Sequence, residues 1–260
     1  MKNVQDVSLA EFSATVDEHL GYEAGFADAV AGIHEARVLA AWAGDRRTAY
    51  YRKLEEFYLR CAAQDVDAPV VATPEGQKVL RQVTTKQYVE QTVPSAKARK
   101  ADPAAWERAR VPVRRCSVAA PEDFAVDRAR VSLPVLPAAW MDTGALITGY
   151  KSPKFAVIAR LRDTENELRL RLEKIAADSG WDGGENTGPL VFADGWQVRL
   201  RERRYSSEAF KKANPQAWRR LAVSIERGGI TRLDIIGLDQ AIGLGYVDYD
   251  DIELDEIDGD

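Results

Sequence analysis

The chain has 260 residues, of which 45% are hydrophobic and 30% charged, and its formal net charge at pH 7 is −5. This composition is typical of a globular protein with enough aliphatic residues for one or two cores. The sequence has no run of about 18 apolar residues, which excludes a membrane-spanning helix. Its first residues lack the apolar stretch of a secretory signal, so we expect a cytoplasmic protein without a membrane partner.

The charge is distributed unevenly along the chain. Residues 248–260 contain eight acidic residues and no base, and taking these eight charges from the total of −5 leaves +3 on residues 1–247. A mildly basic body with an acidic tail is common where a protein meets nucleic acid or a basic partner, although such a tail can also serve solubility alone. The tail residues that we predict to bind a partner are Asp248, Asp250, Asp251, Glu253, Asp255 and Glu256.

Helical patterns fill the first quarter of the chain. Ser8 and Glu11 form a capping box that predicts the start of a first helix. Apolar residues at helical spacing predict two further helices over 23–43 and 46–64. Gly44-Asp45 between them predicts the turn of a helical hairpin or short coiled coil.

Two β-hairpins are predicted, one in each half of the chain. Residues 70–72 and 78–83 flank a Pro-Glu-Gly turn. Residues 190–193 and 196–201 flank Asp194-Gly195, which is a strong short-range hairpin signal. A further strand is predicted near the C-terminus, over 230–236.

The chain contains one short segment twice. Residues 99–108 (RKADPAAWER) recur 112 residues later as 211–220 (KKANPQAWRR), and six of the ten positions are identical. Asp102 and Asn214 are predicted N-caps, followed by a proline at the first helical position. Trp106 and Trp218 then lie on the inward side of the first turn. A purely structural role explains the motif, and its basic flank is the alternative, functional interpretation.

The repeat leads to a fold prediction. We expect an α+β protein with two duplicated modules, each a long helix or helical hairpin, a β-hairpin and a Pro-started helix, followed by the acidic tail. The first module takes residues 1–117 with the N-terminal helices, and the second takes 151–228 with a long helix from about Pro153. Residues 118–150 are predicted to be a Pro-rich ordered linker, and 229–260 a C-terminal segment with the tail.

Signatures of catalysis are absent from the sequence. His19 and His34 have no zinc-like spacing with either Cys61 or Cys116, and the two thiols are expected to be free. No phosphate-binding glycine loop is recognisable. We therefore expect no enzyme activity, catalytic residue, metal or cofactor. A metal-dependent nuclease that uses the tail acids is retained as an alternative.

Basic residues give a candidate nucleic-acid-binding surface in the body of the protein, while the predicted coiled helices suggest protein partners. The predicted returning strand of the second hairpin alternates apolar and basic side chains, and guanidinium groups suit phosphate oxygens. The competing interpretation is a solvated face balanced by Glu165, Glu173 and Glu202. The residues predicted to bind nucleic acid are Arg199, Arg201, Arg203, Arg204, Lys211 and Lys212 in the second half, and Lys97, Arg99 and Lys100 in the first.

The order of these signals resembles a known family. The stretch 165–218 is similar to the non-catalytic C-terminal module of YqaJ-type phage nucleases: a charged coil, a hairpin, an Arg-Arg-aromatic segment (203–205) and a Lys-x-x-x-Pro helix (211–215). Mu-type Gam inhibitors of host nucleases have a similar order of coil and ribbon. The nuclease carboxylates and lysine are not recognisable here, so the resemblance implies an accessory role in phage DNA metabolism without activity.

Three functions follow from these observations. The first is a non-enzymatic phage accessory factor in recombination, nuclease control or integrase control, which binds DNA, a DNA-handling protein or both. The second is an acidic-tailed antagonist that binds a host or phage protein as a DNA mimic. The third is the metal-dependent nuclease.

Overall fold

The computed structural model describes residues 4–137 and 142–247. It is an α+β protein with small antiparallel sheets, as the sequence predicts. Its helices are α1 (Leu9–Leu20), α2 (Phe26–Ala62), α3 (Ser95–Ala101), α4 (Pro103–Arg108), α5 (Thr143–Tyr150), α6 (Val157–Ser179), α7 (Ser207–Ala213), α8 (Pro215–Leu221) and α9 (Leu238–Gly243). Its strands are β1 (Val70–Thr73), β2 (Gly76–Thr84), β3 (Tyr88–Thr92), β4 (Arg110–Ala119), β5 (Leu190–Val191), β6 (Gln197–Tyr205), β7 (Val223–Arg227) and β8 (Thr231–Gly237).

The described chain divides into two compact units. The first comprises residues 4–41, 89–131 and 157–227, and the second comprises 42–88, 132–156 and 228–247, apart from 138–141. The units are interleaved along the chain and do not follow the four consecutive segments of the sequence-based division. Strand pairing explains the difference, because β4 pairs with β6 and β2 pairs with β8 over long sequence separations.

The first unit has its main core between helices α1, α2 and α6 and a three-stranded sheet of order β4-β6-β5. Phe26, Leu172 and Val198 are fully buried in this core. The predicted capping box at the start of α1 is confirmed, since Ser8 Oγ accepts a hydrogen bond from the amide of Glu11 and the Glu11 carboxylate accepts one from the amide of Ser8. The predicted turn between β5 and β6 is also confirmed.

The second unit is built on a sheet of order β1-β2-β8, which contains the predicted first hairpin and the predicted C-terminal strand. Val79 and Leu80 of β2 and Leu54 of α2 are fully buried. The Tyr50 hydroxyl donates a hydrogen bond to the carbonyl of Val135 at 2.6 Å. A Cβ at Gly149 would lie 2.3 Å from the Tyr50 ring, so α5 requires glycine there.

The predicted helical hairpin is wrong, because α2 is one continuous helix of 37 residues. Gly44 lies in its interior, where a Cβ would meet nothing within 4 Å. A single exposed glycine costs a helix only about 1 kcal/mol, which strong helix formers on both sides can offset. Gly44-Asp45 therefore does not act as a turn.

The predicted Pro-rich linker contains regular structure at both ends. Its first residues belong to β4, and Pro112 is tolerated because β4 is an edge strand in the order β4-β6-β5. Its last residues form α5, which Asp142 caps by accepting a hydrogen bond from the amide of Ala145.

The two copies of the repeated segment fold into the same order of elements, a strand, two short helices and a second strand. Helices α3 and α7 occupy equivalent residues 112 apart, and α4 and α8 begin at Pro103 and Pro215. The strands are exchanged between the copies: β3 pairs with β7, and β6 pairs with β4. The predicted equivalence does not extend to the two hairpins, because β1-β2 pairs with β8 whereas β5-β6 pairs with β4.

Candidate nucleic-acid interface

The N-caps of the two Pro-started helices are in direct contact. Asp102 accepts a hydrogen bond from the amide of Ala105 at 2.9 Å, and Asn214 accepts one from Ala217 at 3.0 Å. The side-chain amide of Asn214 also donates, through Nδ2, to the second carboxylate oxygen of Asp102 at 2.8 Å. The Ala105 amide, and then the Asn214 side chain, lower the pKa of Asp102. The N-cap residues of the two copies, which are equivalent in the repeat, therefore contact each other directly.

The repeated tryptophans make equivalent hydrogen bonds but differ in burial. The Nε1 atom of Trp106 donates to Ser95 Oγ at 2.9 Å, and that of Trp218 donates to Ser207 Oγ at 3.0 Å. Trp218 is 8% exposed in a core that also contains Phe210. Trp106 is only partly buried at the edge of the same core.

A second equivalent pair of contacts joins the exchanged strands. Glu202 pairs with Arg115 at 3.1 Å, and Glu90 pairs with Arg227 at 3.0 Å. Residues 90 and 202 are both glutamate, 115 and 227 are both arginine, and each pair is 112 apart in the sequence. Each ion pair takes its acid from one copy and its base from the other, so these contacts between the two copies are reciprocal. The sequence contains a signal for these contacts, because the repeat continues beyond 99–108 to the identical glutamates and arginines.

The basic residues of the four short helices are exposed. None of them lies within salt-bridge distance of a carboxylate in residues 4–137 and 142–247. Two of these bases lie over aromatic rings. The guanidinium of Arg99 lies 5.1 Å from the Trp106 ring centroid, and the ammonium of Lys211 lies 4.5 Å from that of Trp218. The set contains the seven residues of the basic flank of the repeat, with Arg108 in addition. The seven are Lys97, Arg99, Lys100, Lys211, Lys212, Arg219 and Arg220.

Three of the four predicted arginines of β6, namely Arg199, Arg203 and Arg204, have polar partners within the protein. The guanidinium of Arg203 donates to the carbonyl of Arg110 at 2.9 Å, and the guanidinium of Arg110 donates to the carbonyl of Arg203 at 3.2 Å. Arg204 pairs with Glu202, which also contacts Arg115 and Arg199. One carboxylate thus faces three guanidinium groups, and the ribbon keeps an excess of positive charge.

A glycine-rich loop covers two of the ribbon arginines. The amides of Leu200 and Arg201 both donate to the carbonyl of Gly183. A Cβ at Gly183 would lie 3.3 Å from Arg201 Cγ, and one at Gly188 would lie 3.5 Å from Arg199 Nη2. The Nε atom of Arg199 is buried and has no hydrogen-bond partner among the described residues. Arg199 and Arg201 are therefore less accessible than the alternation of β6 predicts.

Among the described residues, the remaining predicted groups do not form a second site. The six tail acids, Asp248, Asp250, Asp251, Glu253, Asp255 and Glu256, lie outside the described residues. Both cysteines are free, and burial raises the pKa of each thiol. His34 packs edge-on against Phe124 and Trp196, and its burial lowers its pKa.

In the ranges 4–137 and 142–247, no group of three or more His, Cys, Asp or Glu side chains is placed to hold a metal ion. Among the helices in these ranges, none combines the length and apolar character that crossing a bilayer requires. Comparison of the chain with protein-family models, with curated proteins and with solved structures found no match in any of the three.

Proposed function

We propose that the chain is a non-enzymatic accessory factor of phage DNA metabolism that binds nucleic acid through helices α3, α4, α7 and α8. The observation that carries the proposal is the set of eight exposed bases on these helices, which have no carboxylate within salt-bridge distance among the described residues. Phosphate oxygens neutralise such cations, and contacts of this kind position a protein on nucleic acid without reading its sequence. The phage context rests on the resemblance of residues 165–218 to accessory modules of phage nucleases.

A DNA-handling protein is the expected second partner, in the form of a recombinase, an integrase or a nuclease. The recurrence of contacts supports an internal duplication, since caps, serine–tryptophan bonds and ion pairs all recur at an offset of 112 residues. Duplication of one basic helix pair doubles the number of phosphate contacts that a single chain can make.

Fluorescence anisotropy of labelled oligonucleotides tests the proposal. The full chain should bind single-stranded or duplex DNA at about 50 mM salt, and the logarithm of the affinity should fall linearly with the logarithm of salt. A five-residue variant should lose most of this salt dependence, whereas Arg160→Gln with Arg162→Gln on α6 is the charge control. The five substitutions are Lys97→Gln, Arg99→Gln, Lys100→Gln, Lys211→Gln and Lys212→Gln. Absence of binding by the native chain at low salt would contradict the proposal.

The second candidate function is a protein antagonist whose acidic tail occupies a basic site. The eight acids in residues 248–260 favour it. Pull-downs with the full chain and with a chain that ends at Val247 distinguish the two functions. If a partner is retained after the deletion, the tail is not part of the mechanism. Cleavage of plasmid DNA in magnesium or manganese would instead favour the nuclease.

A further inference from the structure

The two halves of the repeat differ most in the charge around their tryptophans. The guanidinium of Arg110 lies 5.5 Å from the Trp106 ring centroid, so this ring contacts two guanidinium groups. The position equivalent to Arg110 in the other copy is Ala222, and within residues 4–137 and 142–247 the Trp218 ring contacts one cation, Lys211. A planar guanidinium presents several donors to a phosphate, whereas an ammonium is a point charge.

The strand residues beside each tryptophan differ in the same direction. Arg203 and Arg204 of β6 correspond to Gln91 and Thr92 of β3 at the 112-residue offset. The helices of the two halves do not share this difference, because each helix pair carries four bases and few acids. The divergent strand positions that adjoin the helix pairs in sequence are 110, 203 and 204, with neutral equivalents 222, 91 and 92. Further along the strands, Arg114 and Arg201 also differ in charge from their equivalents Glu226 and Val89.

The exchanged strand pairing joins Arg203 to Arg110, whose guanidinium contacts the Trp106 ring. Reciprocal guanidinium-to-carbonyl bonds join Arg110 and Arg203 across β4 and β6. Among the described residues, Arg203 and Arg99 have no carboxylate within salt-bridge distance. In the other half, the equivalent positions border a cavity of about 550 Å³ whose lining includes Glu90 and Glu208 beside Lys211. The Trp106 half also contains two glutamates, since Arg110 pairs with Glu107 at 3.3 Å and Arg204 pairs with Glu202. It sets four arginines beside them, whereas the other half has Lys211.

We propose that the two copies have diverged in role: the Trp106 half forms the stronger phosphate-binding site, through Arg99, Arg110, Arg203 and Arg204, and the Trp218 half mainly maintains the fold. The difference in burial agrees with this division, because Trp218 is enclosed in the core while Trp106 is partly accessible. The inference rests on the proposed nucleic-acid binding and locates its strongest contacts.

Exchange of the three divergent positions tests the inference. Arg110→Ala, Arg203→Gln and Arg204→Thr together give the Trp106 half the residues of the other half. With the DNA form that the native chain binds more tightly, the affinity should fall about tenfold or more, and the salt slope should decrease by about 2 to 3. Circular dichroism checks that this variant is folded.

The reverse exchange keeps the test decisive if the first variant does not fold. Gln91→Arg, Thr92→Arg and Ala222→Arg should increase both the affinity and the salt slope. A matched single pair completes the set: Arg99→Ala should weaken binding several times more than Lys211→Ala.

Two outcomes separate the inference from the proposal beneath it. If the native chain binds DNA, but Arg99→Ala and Lys211→Ala weaken binding equally and the reverse exchange changes nothing, the division of roles is wrong and the nucleic-acid interface stands. If the native chain does not bind DNA at low salt, both are wrong.

Discussion

Replacement of Trp218 by alanine should destabilise the first unit more than replacement of Trp106, although the two residues are equivalent in the repeat. Trp218 is 8% exposed and fills the core that contains Phe210. Removal of a buried indole costs about 3–5 kcal/mol from lost burial and the cavity left behind. Trp106 is partly exposed, so its replacement removes less apolar surface from the interior. Trp106→Ala should therefore cost at least about 1 kcal/mol less than Trp218→Ala.

Urea unfolding followed by far-ultraviolet circular dichroism measures this difference. Trp106→Phe and Trp218→Phe are the matched controls, because each keeps an aromatic ring and loses one hydrogen bond to a serine hydroxyl. These two losses should be similar, at about 1 kcal/mol each. If Trp106→Ala is as destabilising as Trp218→Ala or more so, the burial argument is refuted.

Three further changes have expected outcomes. Ser207→Ala should lower the free energy of unfolding by about 2 kcal/mol and Ser95→Ala by about 1, because the Ser207 hydroxyl accepts hydrogen bonds from both Trp218 and the amide of Val93; equal losses in urea would contradict this. Gly44→Ala should raise the free energy of unfolding by about 0.5–1 kcal/mol if α2 is continuous, and a decrease in the same urea assay would favour a turn. Asp102→Asn should flatten the acid limb of a stability–pH profile. A carboxyl whose folded pKa is lowered stabilises the fold above its unfolded pKa, near about 4, and that contribution disappears as pH falls through the folded pKa. Parallel acid limbs for the two proteins would refute the assignment.

Local features of the fold could be predicted from the sequence because short-range chemistry determines them. The capping box at Ser8 and Glu11, the Asp194-Gly195 turn and the proline starts at 103 and 215 involve residues only a few positions apart. Each appears in the structure where the sequence places it.

Long-range pairing could not be predicted in the same way. Nothing in the residues of β4 indicates that its partner is β6, about 90 residues later, so part of this strand was assigned to a linker. The exchange of strands between the two copies is likewise invisible to local patterns. The identical glutamate–arginine positions at 90, 115, 202 and 227 are the one sequence signal that reflects it.

The candidate interface was predicted in part. Alternation along β6 correctly separates its apolar and basic sides, but it does not reveal the loop at Gly183 that covers Arg199 and Arg201. The exposed lysines and arginines of the short helices were identified as the basic flank of the repeat. Whether a carboxylate lies within salt-bridge distance of these bases depends on the tertiary arrangement, so it could not be predicted from the sequence.

Cross-linking with position mapping tests the nucleic-acid interface most directly. The full chain is irradiated with an oligonucleotide that contains 5-bromouracil, and the cross-linked peptides are identified by mass spectrometry. We predict cross-links within residues 95–110 and 203–221, with the highest yield in the peptide that contains Trp106. Cross-links confined to α2 or α6, or no cross-link under conditions in which the native chain binds the oligonucleotide, would contradict the assignment of the paired helices as the binding surface.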